Sequence, residues 1–274
     1  EVNTREGSGF DSEKEVRFGR AVEPVRETFF ERAAAGNLKW CVTIFPTNAY
    51  AQDAGMALED YEDFVFGACL PDPDDPVGFW KKMEERQDRL VNYLSKAKQL
   101  RVQAENTDLR VGVAGRTWIN CSGRENFPDG EVFTGPIETE TEGAVRFSYP
   151  AVHGGREVTD VRLQFKKGRV VSATADRGEE FLRDMLERDD GASVLGEFAI
   201  GTNPGIDRFT RNTLFDEKIQ GTVHMALGNS YPESGGVNKS QVHWDIVCDL
   251  RKGGRLFADG ELIYEDGSFL IDLD

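Results

Sequence analysis

The chain has 274 residues, of which 30% are charged and 39% hydrophobic, and its formal net charge is −16 at pH 7. This length is sufficient for one large or two ordinary domains with a sizeable core. No apolar run reaches the ~18 residues that a membrane span needs, and the acidic balance disfavours nucleic acid and anionic membranes as partners. An acidic chain suits metal cations and ligands with a free amine instead.

The first third of the chain has the apolar spacing of helices. Helices are predicted over 13–36, over 58–70 and from Asp75-Pro76 to about Ala97, with a short strand over 40–45. Asp75 is a typical helix cap, and Pro76 suits the first helical position. The apolar stripe of this last helix predicts that it packs into the core.

After residue 105 the pattern changes to the alternation of half-buried strands. Strands are predicted at 109–113, 145–149 and 161–165, with a hairpin turn at Lys167-Gly168, a short helix over 178–189 and further strands over 242–273. We therefore predict an α+β fold. A helix-rich segment over 1–105 precedes a mixed, β-rich metal-binding domain over 106–274 that has helical insertions.

The four cysteines, Cys41, Cys69, Cys121 and Cys248, are widely separated and form no Cys-x-x-Cys motif. This spacing does not indicate a cysteine-based zinc site. The simplest interpretation is a reduced, cytoplasmic protein with buried thiols.

The strongest local signal for a functional site is the sequence His243-Trp244-Asp245 in a predicted strand. Side chains alternate in a strand, so His243 and Asp245 are expected on the same face. His224 lies 19 residues upstream in another apolar segment. Imidazole and carboxylate groups bind Zn²⁺ or Co²⁺ at about 2.0–2.2 Å, but the spacing fits an ordinary His–Asp hydrogen bond equally well.

Three acids and one tyrosine lie in segments that could join the histidines, and for Glu131, Glu197 and Tyr231 two interpretations remain open. Glu131, at a loop-to-strand junction, is either a solvated loop acid or a ligand. Glu197 has apolar neighbours on both sides, so we expect it to be buried and either salt-bridged or metal-bound. Glu217 closely precedes the segment of His224. Tyr231 is either a packed loop residue or part of a site.

Several long phrases of the chain, in this order, resemble the thermophilic metalloaminopeptidase family (aminopeptidases T, S and PepS). The phrases are NTREGSGFD, FPTNAYAQDAGMALEDYEDFVFGACL, DDPVGFW, NFPDGEVFTGPIE, GEFAIGTNPGI, LFDEKIQGTVHMALGNSYPESGG and NKSQVHWDIVCDLR. Together they extend over nearly the whole chain. The order and length of the phrases make the resemblance much more specific than any single motif.

The resemblance implies a homodimeric hydrolase that removes N-terminal residues from peptides with two divalent metal ions (Zn, Co, Mn or Mg). The implied metal ligands are Glu131, Glu197, Glu217, His224, His243 and Asp245. The implied catalytic residues are Glu197, as a base, and Tyr231, whose hydroxyl contacts the reacting centre. Glu217 is matched less closely, because its spacing to the following histidine varies in the family.

One departure from the family concerns length. Family members carry an N-terminal α/β domain that we expect to be largely absent here. Every implied ligand lies within 131–245, so we expect the metal site to be retained, whereas a substrate cavity walled partly by that domain would be incomplete. Two other functions remain open. One is a mononuclear Fe(II) ring-cleaving dioxygenase of a related branch, which a two-histidine, one-carboxylate set suits. The other is an inactive metal-binding or dimerisation fragment.

Overall fold

The computed structural model describes residues 12–273. Its α-helices are α1 Ser12–Ala34, α2 Asn48–Asp53, α3 Leu58–Cys69, α4 Pro76–Leu94, α5 Glu179–Leu186 and α6 Thr213–Asp216. Four of these helices precede the first long strand; α1, α3 and α4 correspond to the three predicted helices, and α2 was not predicted.

Strands are more numerous than helices and lie mainly in the rest of the chain. Within the described residues they are β1 Val42–Thr43, β2 Gln99–Ala104, β3 Thr107–Gly112, β4 Ile119–Cys121, β5 Asn126–Phe127, β6 Glu131–Thr134, β7 Thr141–Arg146, β8 Ala151–His153, β9 Arg156–Val158, β10 Arg162–Lys166, β11 Arg169–Thr174, β12 Leu195–Gly201, β13 Thr222–Gly228, β14 His243–Asp249, β15 Arg255–Ala258, β16 Glu261–Glu265 and β17 Ser268–Phe269. The predicted α+β fold class is confirmed. The division at residue 105 stays a prediction.

Two antiparallel sheets make up most of the β structure. The larger has eight strands in the order β11-β10-β7-β3-β2-β15-β16-β17, and the smaller has five in the order β14-β13-β12-β6-β4. The predicted hairpin turn joins β10 to β11, and Lys167 and Gly168 both have positive φ, of 50° and 79°. That conformation is the one a two-residue hairpin turn requires.

The five-stranded sheet has one apolar face and one polar face. Val132, Phe198, Met225 and Ile246, on four adjacent strands, are buried in the main hydrophobic core. Because side chains alternate along each strand, the residues between them point to the opposite face. The apolar face anchors the sheet, and the opposite face is available for a site.

Helix α4 packs beside this sheet as its sequence predicted. Asp75 caps the helix by accepting a hydrogen bond from the backbone N–H of Gly78 (2.9 Å), and Met83, Leu90 and Leu94 are buried. Gln87 lies on the same buried face. Its position gives the helix a polar contact with the sheet, which the apolar pattern did not predict.

The N-terminal part differs from the prediction in two respects. The strand predicted over 40–45 is reduced to the exposed pair of residues in β1, which is bonded to β5 alone. Helix α1 forms over almost the predicted range, but Phe18 and Val25 of its apolar stripe are 70% and 71% exposed. The local sequence pattern explains why β1 and α1 form. No packing partner within the described residues covers their apolar side chains fully.

Candidate metal centre

Four adjacent strands of the five-stranded sheet bring most of the predicted site residues together on its polar face. These residues are Glu131 on β6, Glu197 on β12, His224 on β13, and His243 and Asp245 on β14. The sixth, Glu217, follows the last residue of α6.

Small residues in register with these side chains leave space between them. Ala199 on β12 is paired with His224, while Ala226 on β13 is paired with Glu197 on one side and with Asp245 on the other. Their methyl groups occupy little of the polar face. Longer carboxylate and imidazole side chains can therefore converge above them.

The distances define two adjoining groups that share Glu197. His224 Nε2 lies 3.1 Å from Glu197 Oε1 and 3.3 Å from Glu131 Oε2. His243 Nε2 lies 3.6 Å from Glu197 Oε2 and 3.6 Å from Asp245 Oδ2. The two oxygens of Glu197 thus face different imidazoles.

The site residues form three groups of three. Within each group, the ligand atoms lie within 4.8 Å of one another. The groups are Glu131, Glu197 and His224; Glu197, His243 and Asp245; and Glu217, His224 and Asp245. All six predicted metal ligands therefore belong to one cluster. At 3.6 Å, His243 and Asp245 are too far apart for a direct hydrogen bond, so the ordinary His–Asp pair is not what the fold builds.

The orientation of His243 is set by the backbone. Its Nδ1 lies 2.9 Å from the carbonyl oxygen of Asn229. Because a carbonyl oxygen only accepts hydrogen bonds, Nδ1 carries the proton and donates it. This tautomer leaves Nε2, which faces Glu197 and Asp245, available as a ligand atom.

The cluster contains buried polar atoms that no described residue satisfies. They include Glu131 Oε2, Asp245 Oδ1 and His224 Nδ1. Glu131 is only 5% exposed and Glu197 only 4%, so a solvated loop acid at Glu131 is excluded and the predicted burial of Glu197 is confirmed. A buried carboxylate oxygen without a donor is costly unless a cation neutralises it. These residues therefore fit one or more divalent cations.

The same crowding changes the protonation of the metal-free cluster. Burial alone would lower the pKa of His224, but the hydrogen bond to Glu197 and the charges of Glu131 and Glu197 outweigh it and raise the pKa to about 10. Burial raises the pKa of Glu131 well above its ordinary value. Without a metal, the cluster therefore retains protons at neutral pH.

We expect metal binding at pH 7.5 to release protons, because a ligating imidazole must be neutral. The heat of Co²⁺ binding should then vary with the ionisation enthalpy of the buffer, and the affinity should fall as the pH is lowered. The raised pKa of His224 also stabilises the metal-free fold. This stabilisation is fully present below pH 6.5 and is lost as the pH rises through about 10. Binding heats that are identical in phosphate and Tris would contradict this expectation.

Tyr231 lies beside the cluster, partly open to solvent. Its ring centre is 5.1 Å from that of His243, in an edge-on arrangement, and the residue is 41% exposed. Partial burial and the nearby charges of Glu197 and Asp245 raise the pKa of its hydroxyl. The hydroxyl is therefore protonated at neutral pH and can donate a hydrogen bond.

Lys218 and Gln87, which also lie around the cluster, were missed by the sequence reasoning. Lys218 is completely buried, with its Nζ 3.7 Å from Glu131 Oε1 and hydrogen-bonded to Glu217. Gln87 donates from Nε2 to the Glu131 carbonyl (2.9 Å) and accepts from Thr202 Oγ1 (2.7 Å). The one available signal was that Lys218 lies directly between an acid and an apolar residue.

The cysteines have mixed environments, and all are free thiols. Cys69 and Cys248 are buried as predicted, but Cys41 is exposed and Cys121 is half-buried. Cys121 lies within 4.8 Å of ligand atoms of Glu131 and of the buried Asp129. Burial raises the pKa of Asp129 to about 6, against the opposing charge of Lys218. A thiol therefore borders the cluster even though its spacing gave no indication of this.

The fold and this cluster define a protein that can hold divalent metal. Residues 1–269 match the sequence model of the thermophilic metalloprotease (M29) family. The chain therefore belongs to that family, and the resemblance noted in its sequence is confirmed.

Curated relatives support the same assignment. Aminopeptidase 2 of Geobacillus stearothermophilus is 33% identical over 274 residues, which cover 85% of this chain and 66% of the relative. Aminopeptidase T of Thermus thermophilus is 32% identical over 284 residues (91% and 66%). Aminopeptidase PepS of Streptococcus thermophilus is 31% identical over 267 residues (86% and 62%). The chain thus spans 66% or less of the length of these relatives.

Two solved structures resemble the fold. Wild-type AmpT from Thermus thermophilus has a TM-score of 0.79 at 28% identity, covering 96% of this chain and 73% of that chain. A 2,5-dihydroxypyridine dioxygenase from Pseudomonas putida KT2440 has a TM-score of 0.62 at 17% identity, covering 84% and 70%. The second likeness concerns the fold alone. Within residues 12–273, no helix combines the length and apolar character of a membrane span.

Proposed function

We propose that this chain carries the active site of an aminopeptidase that hydrolyses N-terminal residues from peptides with two divalent metal ions. The observation that supports this best is the position of Glu197. Its two oxygens face different histidines, and a further acid lies at each end of the cluster, Glu131 at one and Asp245 at the other. Adjoining sites that share a carboxylate are typical of two-metal hydrolases.

The proposed ligands divide between two positions. Glu131, Glu197 and His224 would hold one ion, and Glu197, His243 and Asp245 the other. Glu217, close to His224 and Asp245, would complete either set. Zn²⁺, Co²⁺, Mn²⁺ and Mg²⁺ all accept oxygen ligands, and the imidazoles favour Zn²⁺ or Co²⁺ over Mg²⁺.

When bound, such ions lower the pKa of a water molecule and polarise the scissile carbonyl. In this proposal Glu197 accepts the proton of the attacking water and delivers it to the leaving amine. The hydroxyl of Tyr231 donates a hydrogen bond to the oxygen that becomes negative. The free α-amine of the substrate would be held by an acid of the cluster or by a bound ion, so only N-terminal residues would be cleaved.

The test is peptide cleavage by metal-free and Co²⁺- or Zn²⁺-loaded protein. We expect the loaded protein to hydrolyse leucine p-nitroanilide and the metal-free protein to be inactive, and N-acetyl-leucine p-nitroanilide should remain intact because it has no free amine. Cleavage of the acetylated compound, or no cleavage by loaded protein, would contradict the proposal. The second outcome would favour an inactive metal-binding or dimerisation fragment.

A ring-cleaving dioxygenase is the competing enzyme class, and the acids argue against it. One Fe(II) needs two histidines and one carboxylate, whereas this cluster holds Glu131, Glu197, Glu217 and Asp245. Oxygen uptake by the Fe(II)-loaded protein with 2,5-dihydroxypyridine, together with no peptide cleavage, would favour the dioxygenase. We expect no oxygen uptake.

Replacing Tyr231 by Phe is expected to lower kcat by about 10²-fold with little change in KM, because a donor to a developing oxyanion acts in the transition state. Tyr93→Phe is the matched control. Its hydroxyl bonds Glu261 at the surface (2.9 Å), and its kinetics should not change. A rise in KM at constant kcat would instead assign Tyr231 a role in substrate binding.

The homodimer stays a prediction that rests on the resemblance, and the cytoplasmic location stays a prediction that rests on the scattered cysteines. Sedimentation equilibrium of the purified chain tests the first directly. A species of twice the chain mass of 30.6 kDa is expected, and a monomer at micromolar concentration would contradict it.

A further inference from the structure

Lys218 is a permanent cation inside the candidate metal centre. Its side chain has 0% exposure, whereas every other lysine within residues 12–273 is exposed. A lysine is almost never fully buried unless it is paired. Here the partners are Glu217, which accepts a hydrogen bond from Nζ, and Glu131, whose Oε1 is 3.7 Å away.

Backbone hydrogen bonds fix the main chain of Lys218, from which the ammonium group extends. The N–H of Lys218 donates to the carbonyl of Phe215 (3.0 Å), and its own carbonyl accepts from the N–H of Asn203 (3.1 Å). The position of Lys218 also requires Gly201, which is paired with Glu131 in the sheet. A Cβ atom there would lie 2.2 Å from the carbonyl oxygen of Ile219. The absence of that side chain lets Lys218 approach Glu131.

The two oxygens of Glu131 therefore have different neighbours. Oε1 faces Lys218, while Oε2 lies 3.3 Å from His224 Nε2 and has no hydrogen-bond partner among the described residues. One oxygen is thus engaged by a fixed cation, and the other is left for an exchangeable ion. The ammonium group also balances the negative charge of Glu217, a second carboxylate at the same end of the cluster.

We propose that Lys218 is a positioning residue with two effects. It holds Glu131 as a one-oxygen ligand, and it serves as the counter-cation that keeps this end of the cluster folded when no metal is bound. The inference rests on the proposed metal site but not on peptide cleavage. It assigns a role to a residue of the chain that binds neither the ion nor the substrate.

The test compares Lys218→Met with Lys82→Met, which removes the same charge from an exposed position of α4. For metal-free Lys218→Met we expect an unfolding midpoint roughly 6–12 °C below wild type, as for a broken buried ion pair. Saturating Co²⁺ should restore most of this loss, because the ion neutralises the same carboxylates. Lys82→Met should change neither midpoint. A loss that is equal with and without Co²⁺, or no loss, would overturn the proposal.

The visible absorption of bound Co²⁺ gives a readout that lost packing alone would not change. Freed from Lys218, Glu131 can chelate with both oxygens, so the Co²⁺ band of Lys218→Met should weaken as the coordination number rises. An unchanged band would overturn the proposal.

If Lys218→Met does not fold, the Lys218→Met/Glu217→Gln double variant removes both members of the buried pair. It should fold and show the weakened band relative to Glu217→Gln alone, and a band equal to that of the single variant would overturn the proposal.

The wild-type arm separates this inference from the metal site on which it rests. Wild-type protein with neither a Co²⁺ band nor a Co²⁺-dependent rise in unfolding midpoint would contradict the metal centre and the proposed function together. Wild-type protein that binds Co²⁺, with a Lys218→Met variant that behaves as Lys82→Met does, would contradict the role of Lys218 alone.

Discussion

Glu197→Gln is expected to lower kcat by about 10²–10⁴-fold, the range that a positioned general base contributes. An amide neither accepts the proton of the attacking water nor presents two equivalent oxygens to His224 and His243. The fold should survive, because the amide has nearly the same shape and the surrounding core is unchanged. Much metal should remain bound, since Glu131, Glu217, Asp245 and both imidazoles are retained.

The control for this variant is Glu180→Gln, the same chemical change at an exposed position of α5. Its kcat and metal content should equal those of the wild type. Steady-state kinetics on leucine p-nitroanilide and metal analysis of the dialysed proteins provide both readouts. A Glu197→Gln variant that binds metal and turns over at a near-normal rate would exclude Glu197 as the base.

Gly201→Ala is expected to destabilise the protein by about 3 kcal/mol, the upper range for an overpacked core position. The new Cβ would meet the carbonyl oxygen of Ile219 at 2.2 Å and its carbonyl carbon at 2.9 Å, and these backbone atoms cannot rotate away. The segment that carries Glu217 and Lys218 must therefore move. We also expect weaker metal binding, because Glu217 and the partner of Glu131 are displaced together.

Gly67→Ala is the matched control for this substitution. Gly67 lies in α3, and a Cβ atom there would meet nothing within 4 Å. Alanine at this helical position should leave stability unchanged or raise it by up to about 1 kcal/mol. Urea unfolding of both variants, with and without Co²⁺, measures the two effects. Equal stabilities of the two variants would contradict the close approach at Gly201.

The parts of the fold that local signals control were predictable. The cap at Asp75 and the apolar stripe after it specified α4, and the Lys167-Gly168 turn specified the β10–β11 hairpin. The strand over 40–45 was overestimated, because an apolar run forms a strand only where a partner pairs with it. Its partner here, β5, is itself two residues long.

The candidate site was only partly accessible from local patterns. Alternation along a strand places His243 and Asp245 on one face, and this needs no knowledge of the rest of the chain. The convergence of Glu131 and Glu197 with them depends on strand order in the sheet, which periodicity does not encode, so the family resemblance supplied it. Lys218 lay outside both kinds of reasoning, since its burial depends on a contact with a distant glycine.

The most direct test of the metal centre is anomalous diffraction from a crystal grown with Co²⁺ or Zn²⁺. We predict two anomalous peaks on the polar face of the five-stranded sheet, one between Glu197 and His224 and the other between Glu197 and His243. A crystal that shows no peak at either position, or peaks only at surface carboxylates, would contradict the proposed two-metal site.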